Sequence, residues 1–190
     1  MIVNNDNLLS KIEEWNKEVS KNDKIIDIAL FKIFIEFEKF LENSFVSYAL
    51  GICGKNNFSP TLRLQFKDKK HLEGLLRCDS QYIDYIKKIP KIKEFIFEEK
   101  DCPFHKVFVD PKFRTHFEQI QVLRNFIAHE SEESKEKYKR KVLRASGINK
   151  YISVDTFLKT INKKRNISYY TIYIETIKFY SDVICDASSE

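Results

Sequence analysis

Hydrophobic residues recur every three or four positions along most of this chain, which is the spacing typical of amphipathic helices. The longest such pattern covers residues 23–50, where Asp23 is a suitable N-cap. Its apolar stripe consists of Ile26, Leu30, Ile33, Phe34, Phe37, Leu41, Phe45 and Tyr48. A helix of this length with so broad an apolar face is typical of the central helix of a helical bundle.

Shorter patterns predict further helices on both sides of the long one. They cover residues 8–20, 69–77, 81–88, a piece from Pro90 to about Phe97, 110–129, a helix that opens at Ser131 and stops at Gly147, a helix from Ser153 or Asp155 through Ile161, and 168–186. Residues 51–60 form the clearest loop, and residues 62–66 alternate as in a short strand. The pattern predicts one all-α domain over residues 1–190, with a long central helix and short irregular insertions.

The segment that begins at Asp110-Pro111 carries the most informative residues. Asp is a good helix N-cap and Pro suits the first helical position, so this pair predicts a helix start. Arg124 falls inside the apolar arc of this helix, which spans about 120° at roughly 100° per residue. Burying a guanidinium requires a fixed anionic partner or a polar cleft. The arc is made of Phe113, Phe117, Ile120, Leu123 and Ile127.

Arg124 also opens the pattern Arg-Asn-x-x-x-His, which Asn125 and His129 complete. On a straight helix, His129 lies about 140° around and roughly 7.5 Å along the axis from Arg124. The two side chains could work together if the helix breaks near His129, or if a second copy of the chain completes the site. Ser131, followed by two glutamates, is a suitable N-cap for a new helix after such a break.

Within the run Leu-Arg-Asn-Phe-Ile-Ala-His-Glu, this pattern resembles the signature of the HEPN superfamily (higher eukaryotes and prokaryotes nucleotide-binding domains). The resemblance is detailed over residues 110–130 and only architectural elsewhere. It implies a small helical bundle and a homodimer whose two motifs line one composite cleft. Many members are ribonucleases that act as toxins or in microbial defence, and Arg124, Asn125 and His129 fill the motif positions.

These three residue types suit RNA cleavage, because RNA carries its own nucleophile in the 2′-hydroxyl group. Histidine, with a reference pKa near 6.5, can move protons near neutral pH. The forked donors of arginine can stabilise the charge that builds on the phosphate oxygens. We therefore expect a metal-independent endoribonuclease without a cofactor, in which Arg124 stabilises the transition state, His129 is the general acid or base and Asn125 assists.

Composition limits the alternatives. The chain has 190 residues, a net charge of +5 and a sequence pI near 8.9, which is compatible with RNA but does not require it. Its four cysteines form no C-x-x-C pair, which favours reduced thiols in the cytoplasm. The first residues lack a signal-peptide pattern, and charged residues interrupt the most apolar run, so we expect no membrane partner. A toxin would also have an antitoxin or another regulatory partner.

Other interpretations of the same residues stay open. Arg124 could form a structural ion pair with Glu36 or Glu38, and His129 could be an ordinary surface histidine. The protein would then be a non-catalytic HEPN-like module that binds RNA, a nucleotide or a partner protein, or a helical adaptor.

Several other polar residues have simpler explanations. His116 is expected in the core, and we expect no zinc site from the C-x-x-H pair of Cys102 and His105, even with Cys78 or His71 as further ligands. The basic residues within 135–144 and 163–165 could contact an RNA backbone, although lysine runs are more often simply solvated.

Overall fold

The computed structural model describes residues 2–77, 83–109 and 111–186, apart from the side chains of residues 56, 112 and 113. Within these residues the chain is all-α, as predicted, with one two-stranded hairpin. The helices are α1 (Asp6–Lys21), α2 (Ile26–Ala49), α3 (Lys69–Arg77), α4 (Tyr85–Ile96), α5 (His105–Val109), α6 (Pro111–His129), α7 (Glu132–Tyr138), α8 (Val154–Lys159) and α9 (Tyr169–Cys185). The antiparallel strands are β1 (Ile161–Asn162) and β2 (Ile167–Ser168).

The predicted apolar stripes of α2 and α9 are confirmed. Every residue of the α2 stripe is buried, and so are the apolar residues that the pattern assigns to the inner face of α9. The α9 residues are Tyr170, Tyr173, Ile174, Ile177, Tyr180 and Ile184. No helix in the described part of the chain is long and apolar enough to cross a lipid bilayer.

Three local predictions outside α4 are wrong. A 3₁₀ turn (Asp23–Ile25) precedes α2, and it is capped by Asn22, whose side chain accepts from the backbone N–H of Lys24, rather than by Asp23. Residues 62–66 form no strand, since the extended pairing is a single bridge between Leu62 and Phe97. The hairpin of β1 and β2 follows α8, where the sequence pattern predicts helix through Ile161.

Pro90 lies inside α4 instead of ending a helix before it. A proline in a helix interior costs about 3 kcal/mol, because it removes one hydrogen bond and crowds the preceding turn. Burial of Ile86, Ile89 and Ile96 on the inner face of the same helix offsets this cost. The predicted helix start at residues 81–82 lies outside the described residues, as does the predicted cap at Asp110.

The chain divides into two compact units. The first unit contains residues 1–6, 37–110 and 179–190, and the second contains residues 7–36 and 111–178. The prediction of a single domain over residues 1–190 stays a prediction.

Aromatic rings form the core of the first unit. The ring centroid of Phe45 lies 5.8 Å from that of Phe97 and 5.5 Å from that of Phe104. Tyr48 is fully buried beside Phe104, and its hydroxyl donates to the carbonyl oxygen of Ile184 at 2.8 Å. Burial raises the pKa of Tyr48 well above its usual value, so this hydroxyl remains a donor.

Gly54 packs directly against the Tyr48 hydroxyl, which gives a stability prediction. A Cβ atom at residue 54 would overlap Tyr48 Oη and crowd its bond to Ile184, so Gly54→Ala should lower the free energy of unfolding by about 1–3 kcal/mol. Gly74→Ala is the matched control, because it meets no atom within 4 Å and should raise that free energy by about 0.5–1 kcal/mol. Urea denaturation measures both, and equal effects of the two substitutions would contradict this packing.

The core of the second unit holds α6 in place. Phe117 packs against Phe34 with ring centroids 6.1 Å apart, and Phe126 stacks on Tyr138 at 5.2 Å. The buried Gln119 side chain accepts a hydrogen bond from the Tyr173 hydroxyl at 3.1 Å. Contacts on both halves of α6 therefore fix the rotation of the helix that carries Arg124.

Candidate functional site

The Arg-Asn-x-x-x-His pattern occupies the C-terminal end of α6. Phe117, Ile120 and Leu123 are buried as the apolar arc predicts, whereas Ile127 is half-buried. The helix ends at His129 because Glu130 adopts a left-handed conformation with φ 44°. Glycine usually takes this position, since a side chain makes the conformation costly. The end of the motif is therefore a sharp turn with backbone strain.

The predicted new helix start directly after this turn is confirmed. The Ser131 side chain accepts from the backbone N–H of Ser134 at 3.2 Å and caps α7. Glu132 and Glu133 occupy the first turn, where the helix dipole favours negative charge. The helical segment stops at Gly147, which is left-handed with φ 77°, also as predicted.

Arg124 is half-buried on α6. Its Nη1 donates to Oδ1 of Asn125 at 3.2 Å, and its Cζ lies 5.9 Å from the centroid of the Phe31 ring. At this distance from the ring, cation–π attraction operates. The ring and the amide together therefore restrain the guanidinium. The alternative of an ion pair with Glu36 or Glu38 stays a prediction.

Asn125 and His129 are both exposed at the surface of the same helix end. Through its hydrogen bond, Asn125 orients the Arg124 guanidinium. α6 is continuous from Arg124 to His129, so the two side chains leave the helix about 140° apart and roughly 7.5 Å apart along the axis. The break follows His129 instead of preceding it, so it does not turn the two side chains to one face.

Three of the basic residues that follow the motif form ion pairs with glutamates of α7. Lys135 pairs with Glu132 at 3.0 Å, and two further lysines pair with acids one turn away. Arg165, in the hairpin, pairs with Glu175 at 2.9 Å. These exposed pairs contribute little to stability, but they reduce the positive charge available to an RNA backbone.

His116, Cys102 and His105 are the other candidate groups. His116 is half-buried, and burial lowers the pKa of its ring. Cys102 and His105 lie at a cavity of about 460 Å³, where burial raises the pKa of the Cys102 thiol and so disfavours the thiolate. Among the residues with described positions, no group of three or more His, Cys, Asp or Glu side chains could hold a metal ion. Cys78 lies outside the described residues.

Comparison with known proteins identifies no relative of this chain. No protein-family model, curated protein or solved structure matches the chain. The function is therefore inferred from the residues of α6 and their surroundings.

One feature near the motif has no counterpart in the sequence pattern. A groove of about 340 Å³ lies beside the end of α6, and Phe126, Ile127 and Glu130 of the motif region contribute to its wall. Tyr151, in the segment before α8, also lines it and is 49% exposed. Sequence reasoning missed this groove because its wall combines residues from three separate segments of the chain.

Proposed function

We propose that this protein is a metal-independent endoribonuclease of the toxin or antiphage-defence type, acting in the cytoplasm as a homodimer. The observation that carries the proposal is the restrained, half-buried Arg124 guanidinium, hydrogen-bonded to the exposed Asn125, at the helix end that also carries the exposed His129. The HEPN-like spacing of the same three residues also supports it. An antitoxin or another regulatory partner would keep such an enzyme inactive in its host.

In the proposed reaction, the 2′-oxygen of a ribose attacks the adjacent phosphorus atom and the bond from phosphorus to the 5′-oxygen breaks. One imidazole accepts the 2′-hydroxyl proton, and a second, protonated imidazole donates a proton to the leaving 5′-oxygen. The Arg124 guanidinium offers forked donors to the phosphate oxygens while their charge increases. The products are a 2′,3′-cyclic phosphate and a free 5′-hydroxyl group.

The offset between Arg124 and His129 favours a site shared by two chains. General acid–base catalysis contributes about 10²–10⁴ in rate, and one positioned electrostatic donor contributes about 10²–10³. A single chain offers one such pair, whereas two motifs related by a two-fold axis offer two of each. Both proton transfers can then be catalysed, one by each histidine.

The proposal is tested by incubating the purified full chain with end-labelled single-stranded RNA in EDTA. We expect cleavage that EDTA does not inhibit and products that end in 2′,3′-cyclic phosphate, identified by mass spectrometry. A DNA strand of the same sequence is the control and should stay intact, because it lacks the 2′-hydroxyl group. Intact RNA after prolonged incubation, or products with 3′-hydroxyl ends, would contradict the proposed reaction.

A further inference from the structure

The groove beside the end of α6 is lined both by the helix that carries the motif and by an exposed aromatic ring. Phe126 and Ile127 of α6 form one part of its wall, and Tyr151 forms another. Its volume of about 340 Å³ lies within the range of small-molecule sites, and is large enough for a single nucleobase. The groove will be called the α6 groove from here on.

Tyr151 has the properties of a stacking platform. The residue is 49% exposed, and two ammonium groups, Lys135 Nζ and Lys139 Nζ, lie over its ring at 5.8 Å from the centroid, so a base that stacks there displaces at least one of them. Proteins that bind single-stranded nucleic acid combine an aromatic face for a base with nearby cations for the phosphates. Both lysines already pair with glutamates, Lys135 with Glu132 at 3.0 Å and Lys139 with Glu136 at 2.6 Å, so the ring itself would hold a base rather than free positive charge.

The platform is held rigidly with respect to the motif. The Tyr151 ring meets the Tyr138 ring edge to face at 6.3 Å, and Tyr138 in turn stacks on Phe126 of α6 at 5.2 Å. Tyr138 is fully buried, and its hydroxyl donates to the carbonyl oxygen of Ile152 at 3.2 Å. A base stacked on Tyr151 would therefore have a fixed position relative to the helix that ends in His129.

The charge of the α6 groove indicates which part of a nucleotide enters it. Its wall carries the carboxylates of Asp27, Glu130, Glu132 and Asp155, and the ammonium group of Lys135, which is already paired with Glu132. The Ser153 side-chain hydrogen bond lowers the pKa of the Asp155 carboxyl, so that group stays charged at neutral pH. These carboxylates would repel a phosphate, whereas they can accept hydrogen bonds from the N–H groups of a base.

The geometry points to the α6 groove as a base-recognition subsite for single-stranded RNA, in which a base stacks on Tyr151 and a groove carboxylate accepts its N–H donors. Guanine fits best, because its adjacent N1–H and N2–H groups match the two oxygens of one carboxylate. Uracil fits worst, since two carbonyl oxygens flank its single N–H group. This inference rests on the proposed ribonuclease function and gives that enzyme a preference for guanine near the cleaved bond.

The proposed base-recognition subsite is tested by measuring RNA binding and RNA cleavage separately. Fluorescence anisotropy of the full chain with the labelled pentamers UUGUU, UUAUU, UUCUU and UUUUU, in EDTA and on ice, gives the base preference. We expect UUGUU to bind at least tenfold more tightly than UUUUU. Tyr151→Ala should weaken UUGUU binding about tenfold or more, whereas Tyr151→Phe, which keeps the ring, should bind as the wild type does.

Two further variants make the test specific. Asp155→Asn should reduce the preference for UUGUU over UUUUU to less than threefold without weakening UUUUU binding. Phe95→Ala is the matched control, because Phe95 on α4 is also exposed, at 68%, but does not line the groove. It should leave all four affinities unchanged, and thermal unfolding should show that each variant is folded.

The outcomes separate this inference from the proposed function. Guanine-selective binding that depends on Tyr151, without any cleavage, would retain the subsite and overturn the ribonuclease. Cleavage with equal affinities for the four pentamers, or with normal binding by Tyr151→Ala, would retain the ribonuclease and overturn the subsite. No RNA binding by the wild-type chain would overturn both.

Discussion

Substitution of His129 by alanine should lower the rate of RNA cleavage by about 10²–10⁴, the range that general acid–base catalysis contributes. The effect should appear in kcat rather than in RNA affinity, because the imidazole is proposed to act on protons that move only during the reaction. Since His129 is exposed at the end of α6, we expect the free energy of unfolding to change by less than about 0.5 kcal/mol. Single-turnover cleavage of labelled RNA in EDTA measures the rate.

His71→Ala is the matched control for this substitution. His71 is also an exposed histidine on a helix, α3, and it lies outside the motif. Cleavage by this variant should equal that of the wild type. If His129→Ala cleaves at the wild-type rate, or if both histidine variants lose the same amount of activity, residue 129 has no part in proton transfer.

Substitution of Arg124 by alanine should lower cleavage by about 10²–10³, because it removes a positioned cation from the charge that develops on the phosphate. Arg124→Lys keeps the positive charge but loses the planar fork and the bond to Asn125, so its cleavage rate should fall between those of the wild type and Arg124→Ala. Loss of the contact with Phe31 should also cost about 0.5–1 kcal/mol of stability in the alanine variant. Kinetics and urea denaturation of the same preparations separate the two effects.

Arg114→Ala controls for the removal of any arginine from α6. Arg114 is exposed on the same helix and pairs with Glu118 at 2.9 Å, one turn away. Cleavage should be unchanged in this variant. A large loss of folding in Arg124→Ala, with little effect on the activity of the folded fraction, would instead support a structural role for Arg124.

Much of the fold follows from local sequence signals. The bounds of α3 agree with the pattern over residues 69–77, and Ser131 and Gly147 begin and end the segment after the motif as their chemistry predicts. The α2 stripe is buried because helical spacing alone places it on one face. These features depend on neighbours within a few residues, which a sequence displays directly.

The errors arise where tertiary contacts override local preference. Pro90 remains in a helix because three isoleucines of α4 are buried together, and Asn22 replaces Asp23 as the cap by a shift of one residue. The pairing of Leu62 with Phe97 joins positions 35 residues apart. Such contacts are set by the packing of the first unit, for which local spacing carries no signal.

In the candidate site too, local features were predictable from the sequence and tertiary ones were not. The half-burial of Arg124 and the helix break after His129 follow from periodicity and capping. The left-handed Glu130 and the α6 groove with Tyr151 do not, because they depend on how α6, α7 and the segment before α8 meet. The residues proposed to react could be chosen from sequence, whereas those proposed to recognise a base required coordinates.

The most direct test of a site shared by two chains is cleavage by a mixed dimer of Arg124→Ala and His129→Ala. The two variants are co-expressed with different tags, and the dimer that carries both tags is purified. A composite cleft in this dimer holds one Arg124 and one His129, so it should cleave labelled RNA at least tenfold faster than either homodimer. A mixed dimer as slow as the homodimers beside an active wild type, or failure to isolate any dimer, would contradict the shared site.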